Sequence, residues 1–166
     1  CPDPAGQQEN AYMAALGATA TFEVQGDTLQ LVDTGGNVVA TFSRMEAVEL
    51  AGTSWNVISY NNGNQAVVSV IIDTEMTAIF AADGTLSGSS GCNTYNTSYE
   101  VDGDSISISP QIAATMAFCA EPEGVMDQEQ QYLAALPTAA TYRVELDRME
   151  MRTSEGALVA SFERVK

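Results

Sequence analysis

The sequence predicts a mainly β protein, α+β at the margin. The expected form is an antiparallel meander that closes as a barrel, with one short helix, preceded by a half-repeat of helix and strands. One observation behind this is a series of short alternating or β-branched stretches, separated by tight-turn residues at regular spacing. A second is an internal repeat: residues 8–44 match residues 128–164 without a gap, with Tyr12/Tyr132, Leu16/Leu136, Gly36/Gly156 and Phe42/Phe162 identical. The third is what the repeat omits, since residues 45–118 have no earlier copy. The chain therefore reads as the C-terminal half of a first domain (1–44), a short linker (45–49) and a complete domain (50–166). With a two-residue change of offset the match extends through Pro4/Pro122 and Gly6/Gly124 to Cys1/Cys119.

The elements follow in order. In 8–16 and 128–136 the residues Tyr12, Met13 and Leu16, and Tyr132, Leu133 and Leu136, recur at three-to-four spacing and predict a helix with one buried face. Gly17 and Pro137 are expected to end the two helices. Phe22 and Val24, then Leu29 and Leu31, alternate with polar residues about the turn Gly26-Asp27, and Val38, Ala40 and Phe42 form the inward row of a third strand. The copy keeps this pattern with Tyr142, Val144, Met149, Met151, Leu158, Ala160 and Phe162. In the middle region, strands are expected over 53–59, 67–72, 76–80, 85–88, 95–101 and 105–109. Asn61-Asn62-Gly63-Asn64, Ala82-Asp83-Gly84 and Asp102-Gly103-Asp104 are the turns. The complete domain should hold about eight strands and one helix.

Composition narrows function by exclusion. The 166 residues are 45% hydrophobic, which argues against disorder, and the apolar runs are too short to form a transmembrane helix. The first residues carry no basic or apolar signal segment, so any signal peptide is expected to have been removed. The formal charge of −16 repels phosphate backbones and anionic membrane surfaces, so no nucleic-acid partner is expected. With no histidine, a Ser-His-Asp or Cys-His nucleophile system and a His-containing zinc site are excluded. The pairs Asp102/Asp104, Glu121/Glu123 and Glu145/Asp147 fit no calcium loop and read as solvated turn or strand positions. No catalytic residue, metal site or cofactor is expected.

Three stretches of the complete domain carry a family resemblance. Leu50-Ala51-Gly52-Thr53-Ser54-Trp55 resembles the L-x-G-T-x-W opening of META domains, the family that includes the heat-shock-inducible HslJ proteins. Phe80, then Ser87-Gly88-Ser89-Ser90-Gly91-Cys92-Asn93-Thr94-Tyr95, resembles that family's F…SG-x-x-GCN-x-Y core. Thr115-Met116-Ala117-Phe118-Cys119, followed by Glu129, Tyr132, Leu133 and Leu136, resembles its T-x-M-A-C and helix signature, with Phe118 lengthening the alanine–cysteine spacing by one. The resemblance implies a lipocalin-like barrel of the bacterial envelope, often a lipoprotein, without established enzymatic activity and loosely linked to stress tolerance.

In an exported acidic domain of that kind, Cys92 and Cys119 are expected to form a structural disulfide; two buried free thiols or a redox pair are the alternatives. Closing this loop would contribute about 3–4 kcal/mol. Cys1 reads as the lipidated first residue of a lipoprotein, as an N-terminal nucleophile, or as a fragment boundary at the position of Cys119. Ser87–Asn93 lacks the lysine and following helix of a phosphate loop and reads as a glycine bulge in a barrel strand. Trp55 reads as core or plug.

The function expected from all this is a non-enzymatic envelope or secreted module with a structural or protein-binding role. It would be periplasmic, at the cell surface (there with or without a lipid anchor), or secreted. A small-ligand carrier is the alternative, and a protease inhibitor a weaker one. Residues 1–44 supply too little chain to bury a core alone. They are expected to self-associate with a second copy, by strand addition or domain swap, or to pack on a cleaved upstream half-domain.

Overall fold

The computed structural model describes residues 3–44, 49–64 and 66–165. The readings of Cys1 and of the linker at 45–48 lie outside these residues. Two compact units are present, Cys1–Ala47 and Val48–Lys166.

The second unit is a closed eight-stranded antiparallel barrel. Its strands are β4 (Thr53–Asn61), β6 (Thr77–Phe80), β7 (Thr85–Ser89), β8 (Thr94–Asp102), β9 (Ser105–Ile108), β11 (Thr141–Glu145), β12 (Arg148–Arg152) and β13 (Leu158–Arg164). The order β8-β7-β6-β4-β13-β12-β11-β9 closes through the β8–β9 pair. Two short strands branch from the ring, β5 (Val67–Ser69) on β4 and β10 (Ala113–Ala114) on β8. The barrel is closed by the two-residue period of side chains: Tyr95, Thr97 and Tyr99 of β8, Ile106 and Ile108 of β9, and Met149 and Met151 of β12 all face inward and are buried.

A β-bulge sets the register of β4. Ser161 pairs with Ser59 and Phe162 with Val57, leaving Ile58 as the extra residue. The bulge shifts the alternation, so Trp55, Val57 and Tyr60 all point into the core and Ile58 stays half-exposed. Phe80 meets Tyr99 edge-on at 5.0 Å in the middle of the core. Each such aromatic removes enough apolar surface from water to stabilise the fold by roughly 2–3 kcal/mol.

Helix α2 (Val125–Ala135) runs into a short 3-10 turn, Leu136–Thr138. It lies against the end of the barrel where β4 and β7 finish and β6 and β8 begin. As expected of Pro137, the α-helix stops before it, at Ala135; the proline sits in the first turn of the 3-10 segment, where a missing N–H costs nothing. The strand expected over 67–72 stops at Ser69; the Val70 N–H still reaches the Ile58 carbonyl at 3.1 Å, and the Ile71 N–H, on the other side of the chain, binds the side chain of Gln128 on α2 at 2.7 Å. Asp73, at φ 66°, then turns the chain.

The first unit holds α1 (Asp3–Ala18) and a three-stranded antiparallel sheet of β1 (Thr19–Gln25), β2 (Thr28–Asp33) and β3 (Val38–Ser43), in the order β1-β2-β3. Gly17 lies inside α1 rather than ending it; the Thr19 hydroxyl donates to the Ala15 carbonyl at 2.9 Å where helix gives way to strand. This sheet reproduces β11-β12-β13 pair for pair. Leu29↔Phe42 and Leu31↔Ala40 correspond to Met149↔Phe162 and Met151↔Ala160, and each sheet has a register shift at the same place, after Leu31 and after Met151. Gly26 at φ 58° and Leu146 at φ 56° occupy the same turn position.

Burial does not follow the repeat. Tyr12 is 46% exposed where Tyr132 is 0%, and Phe22 is 69% exposed. The buried face expected of Tyr12, Met13 and Leu16, and the inward row expected of Val38, form in the second unit and lie open in the first. The sequence pattern is the same in both copies; the strands that cover it, β4 to β9, belong to the second unit alone.

Candidate functional site

The motif residues of the Ser87–Tyr95 and Thr115–Cys119 stretches, Met116 aside, gather at α2 around a polar latch. Val125, Gln128, Glu129 and Tyr132 share one helical face by their i, i+3, i+4, i+7 spacing, and all four are buried. Two of the four are polar, so they must find partners inside.

Glu129 does so through the Ser90–Tyr95 segment. Its Oε2 accepts from the Ser90 hydroxyl at 2.6 Å and the Asn93 backbone N–H at 2.8 Å, and its Oε1 accepts from Asn93 Nδ2 at 2.9 Å. The Asn93 amide uses all four of its bonding directions. Nδ2 also donates to the Ala117 carbonyl at 3.0 Å, while Oδ1 accepts from the Thr115 hydroxyl and the Ala117 N–H, both at 2.7 Å. Gln128 accepts from the Ile71 N–H and donates to the Thr74 hydroxyl at 3.1 Å. Every buried side-chain N and O among the described residues has a partner.

The Cys92–Cys119 disulfide, with Cα atoms 5.9 Å apart, ties the same two segments together beside Asn93. Below the latch, the Tyr95 hydroxyl donates to the Thr77 carbonyl at 2.9 Å and lies 3.0 Å from the Tyr132 hydroxyl. Tyr132 meets Tyr60 and Tyr95 edge-on at 6.3 and 5.8 Å. Burial pushes the phenols of Tyr95 and Tyr132 well above the ordinary value of 10.0.

Two glycines have steric causes. A Cβ on Gly88 would lie 2.0 Å from the Thr77 carbonyl oxygen, so β7 approaches β6 only because that side chain is absent. Gly91, at φ 111°, would place a Cβ 2.8 Å from the Gln128 amide nitrogen. The expected bulge in Ser87–Asn93 is thus a close strand approach followed by a left-handed turn.

Gly52, Thr53 and Trp55 form a separate cluster at the opposite end of the barrel. Gly52 N–H donates to the Phe80 carbonyl at 2.7 Å, Trp55 Nε1 donates to the Thr53 hydroxyl at 2.7 Å, and that hydroxyl donates to the Leu50 carbonyl at 2.5 Å. The Arg164 guanidinium covers the Trp55 ring at 5.8 Å. Met116 joins neither cluster: it is 98% exposed, and Phe118 is 82% exposed.

Sequence reasoning on the motifs did not anticipate Ser90, Gln128, Thr74 and the backbone of Ile71 as members of the latch. The available signal was two adjacent polar residues, Gln128 and Glu129, on the helix face that carries Tyr132. Among the described residues, no three His, Cys, Asp or Glu side chains converge as metal ligands. No described helix is long and apolar enough to cross a membrane.

Comparison with known proteins supports this description of the fold. The META domain family matches the chain twice, over residues 1–46 and 48–166. A solved structure of a protein from Burkholderia xenovorans aligns at TM-score 0.57 and 22% identity, covering 75% of this chain and 96% of that one. A second, determined by NMR, aligns at TM-score 0.52 and 17% identity, covering 72% and 95%. A DUF4847 family protein from Bacteroides vulgatus aligns at TM-score 0.47 and 17% identity, covering 69% and 93%. No curated protein matches the chain.

Proposed function

The chain belongs to the META domain family, and from that premise we propose that it is a non-enzymatic, exported module that binds other proteins or serves a structural role. The observation that carries this reading is the filled barrel. Trp55, Phe80, Tyr99, Tyr132, Met149 and Phe162 occupy the interior and are all buried, where a carrier of this architecture would keep a lined cavity. Among the described residues the buried carboxylate, Glu129, is engaged in holding a helix rather than facing a cleft.

Two further features support the reading. The disulfide suits an oxidising compartment such as the periplasm or the cell exterior. The loop it anchors presents Met116 and Phe118 to water on a backbone fixed by Asn93, a pre-ordered apolar contact of the kind protein partners use.

The test is native mass spectrometry of the chain isolated from its source, with photo-crosslinking from position 118. The reading predicts a barrel that retains no small molecule and discrete protein adducts at 118. A stoichiometric small molecule retained by the barrel would overturn it in favour of a carrier.

A further inference from the structure

We infer that the loop Thr115–Cys119 is the reactive site of a serine endopeptidase inhibitor, with Phe118 as the side chain that enters the enzyme's primary pocket. This deepens the interaction reading above, and rests on it, by naming the class of partner.

The loop has the form that a protease cleft accepts. β10 pairs with β8 through Ala114↔Tyr95, and the Thr115 N–H donates to the Thr94 carbonyl at 3.0 Å. From Thr115 to Ala120 the chain then runs without helix, turn or bend, and no residue there has a positive φ. Asn93 holds Ala117 by both backbone groups: Nδ2 donates to its carbonyl at 3.0 Å, and Oδ1 accepts from its N–H at 2.7 Å. In an extended chain successive residues aim these groups to opposite sides, so those of Met116 and Phe118 face away from Asn93. Neither pair is bonded within the described chain. They form a free strand edge of the kind that an extended-peptide cleft pairs with, and the Phe118 ring stands open to water beside it.

The tethers decide which bond is presented. Ala117, just before Phe118, is tied to Asn93; Cys119, just after it, is tied by the disulfide to Cys92. Adjacent residues of one turn thus hold both sides of the Phe118–Cys119 bond, and Glu129 fixes that turn from α2. A loop ordered before it docks loses little conformational entropy on binding.

The same tethers oppose hydrolysis. The enzyme's serine Oγ attacks the Phe118 carbonyl carbon, and its proton passes through the enzyme's base to the Cys119 nitrogen as the peptide bond breaks. This leaves an ester at Phe118 and an amine on Cys119. The disulfide keeps that amine beside the ester, so it re-forms the peptide and releases the serine before water can replace it. The cycle consumes no water and loses no atom.

The chemistry also selects the enzyme. An aromatic side chain suits an apolar primary pocket and not one with a carboxylate at its base. A serine nucleophile leaves the neighbouring disulfide intact, whereas an active-site thiolate would exchange with it. Phe118 is, moreover, the residue that lengthens the alanine–cysteine spacing in this chain.

The test follows hydrolysis of chromogenic peptide amides by chymotrypsin and by trypsin, with the intact oxidised chain added. Chymotrypsin should be inhibited stoichiometrically, and trypsin at least about a hundredfold more weakly. Because Phe118 is exposed, Phe118→Arg should keep the fold and reverse that preference, a gain that a damaged chain could not give. Reduction of the disulfide should turn the chain into a substrate cut between Phe118 and Cys119. Absence of inhibition, rapid and complete cleavage of the oxidised chain, or an unchanged preference in Phe118→Arg would each overturn the proposal. Crosslinking from position 118 separates it from the broader reading: discrete adducts to proteins other than proteases would overturn the inhibitor and leave the interaction module standing.

Discussion

At the scale of single residues, Asn93 carries the most information, because its amide is used in all four directions and one of them meets a carboxylate. Asn93→Asp keeps the shape but sets a second carboxylate 2.9 Å from Glu129 Oε1. Denaturant unfolding near neutral pH should show a loss of about 3 kcal/mol. Glu129→Ala leaves the Asn93 N–H and one Nδ2 hydrogen without an acceptor, while the Ser90 hydroxyl keeps the Asn93 carbonyl at 2.9 Å, and should cost a similar amount in the same measurement. Leu146 offers the opposite sign. It holds φ 56° at a turn where the repeat has Gly26, and it is exposed, so Leu146→Gly should stabilise the barrel by about 0.5–1 kcal/mol, read as a raised denaturation midpoint.

Among elements, the repeat and the alternation made the strands legible, since the period of two is imposed by the pleat and survives in any sequence with one buried face. β8 and β12 were readable for that reason. The end of β5 was not, because beyond Val70 the chain leaves β4 for contacts that only the fold brings together, the Ile71 N–H binding the side chain of Gln128. Pairings separated by tens of residues leave no local trace. Helix α2 was legible in its apolar positions, but its buried Gln128 and Glu129 look like surface residues until their partners are seen. The motif segments were recognisable as a pattern, and the structure supplies the cause for two of them: Ser87–Tyr95 and Thr115–Cys119 are the strand-end loops that grip one helix. The disulfide between them closes a loop of sequence separation 27. Its reduction should lower unfolding stability by about 3.5 kcal/mol while leaving the strand content measured by far-ultraviolet circular dichroism intact.

For the whole molecule, two consequences separate the units. The barrel buries neutral phenols. Tyr95 and Tyr132 titrate above the ordinary 10.0 when folded, so the unfolded chain releases those protons first as the pH rises. Their contribution is fully present below pH 10 and is lost as the pH climbs towards the folded values, at roughly 1.4 kcal/mol per pH unit for each group. The barrel's denaturation midpoint should therefore hold steady through neutral pH and fall steeply above pH 10, with a shallower fall in Tyr132→Phe. The first unit has no such buried phenol, since Tyr12 lies open.

The account's central claim is that one sequence pattern occurs twice and is completed once. Native-state hydrogen exchange on the unmodified chain tests it most directly, because it reads both copies in one sample. Amides of α2 and β13 should exchange only through global unfolding of the barrel, whereas those of α1 and β3 should exchange through local opening, at least about a hundredfold faster. Equal protection of the two copies would contradict the claim.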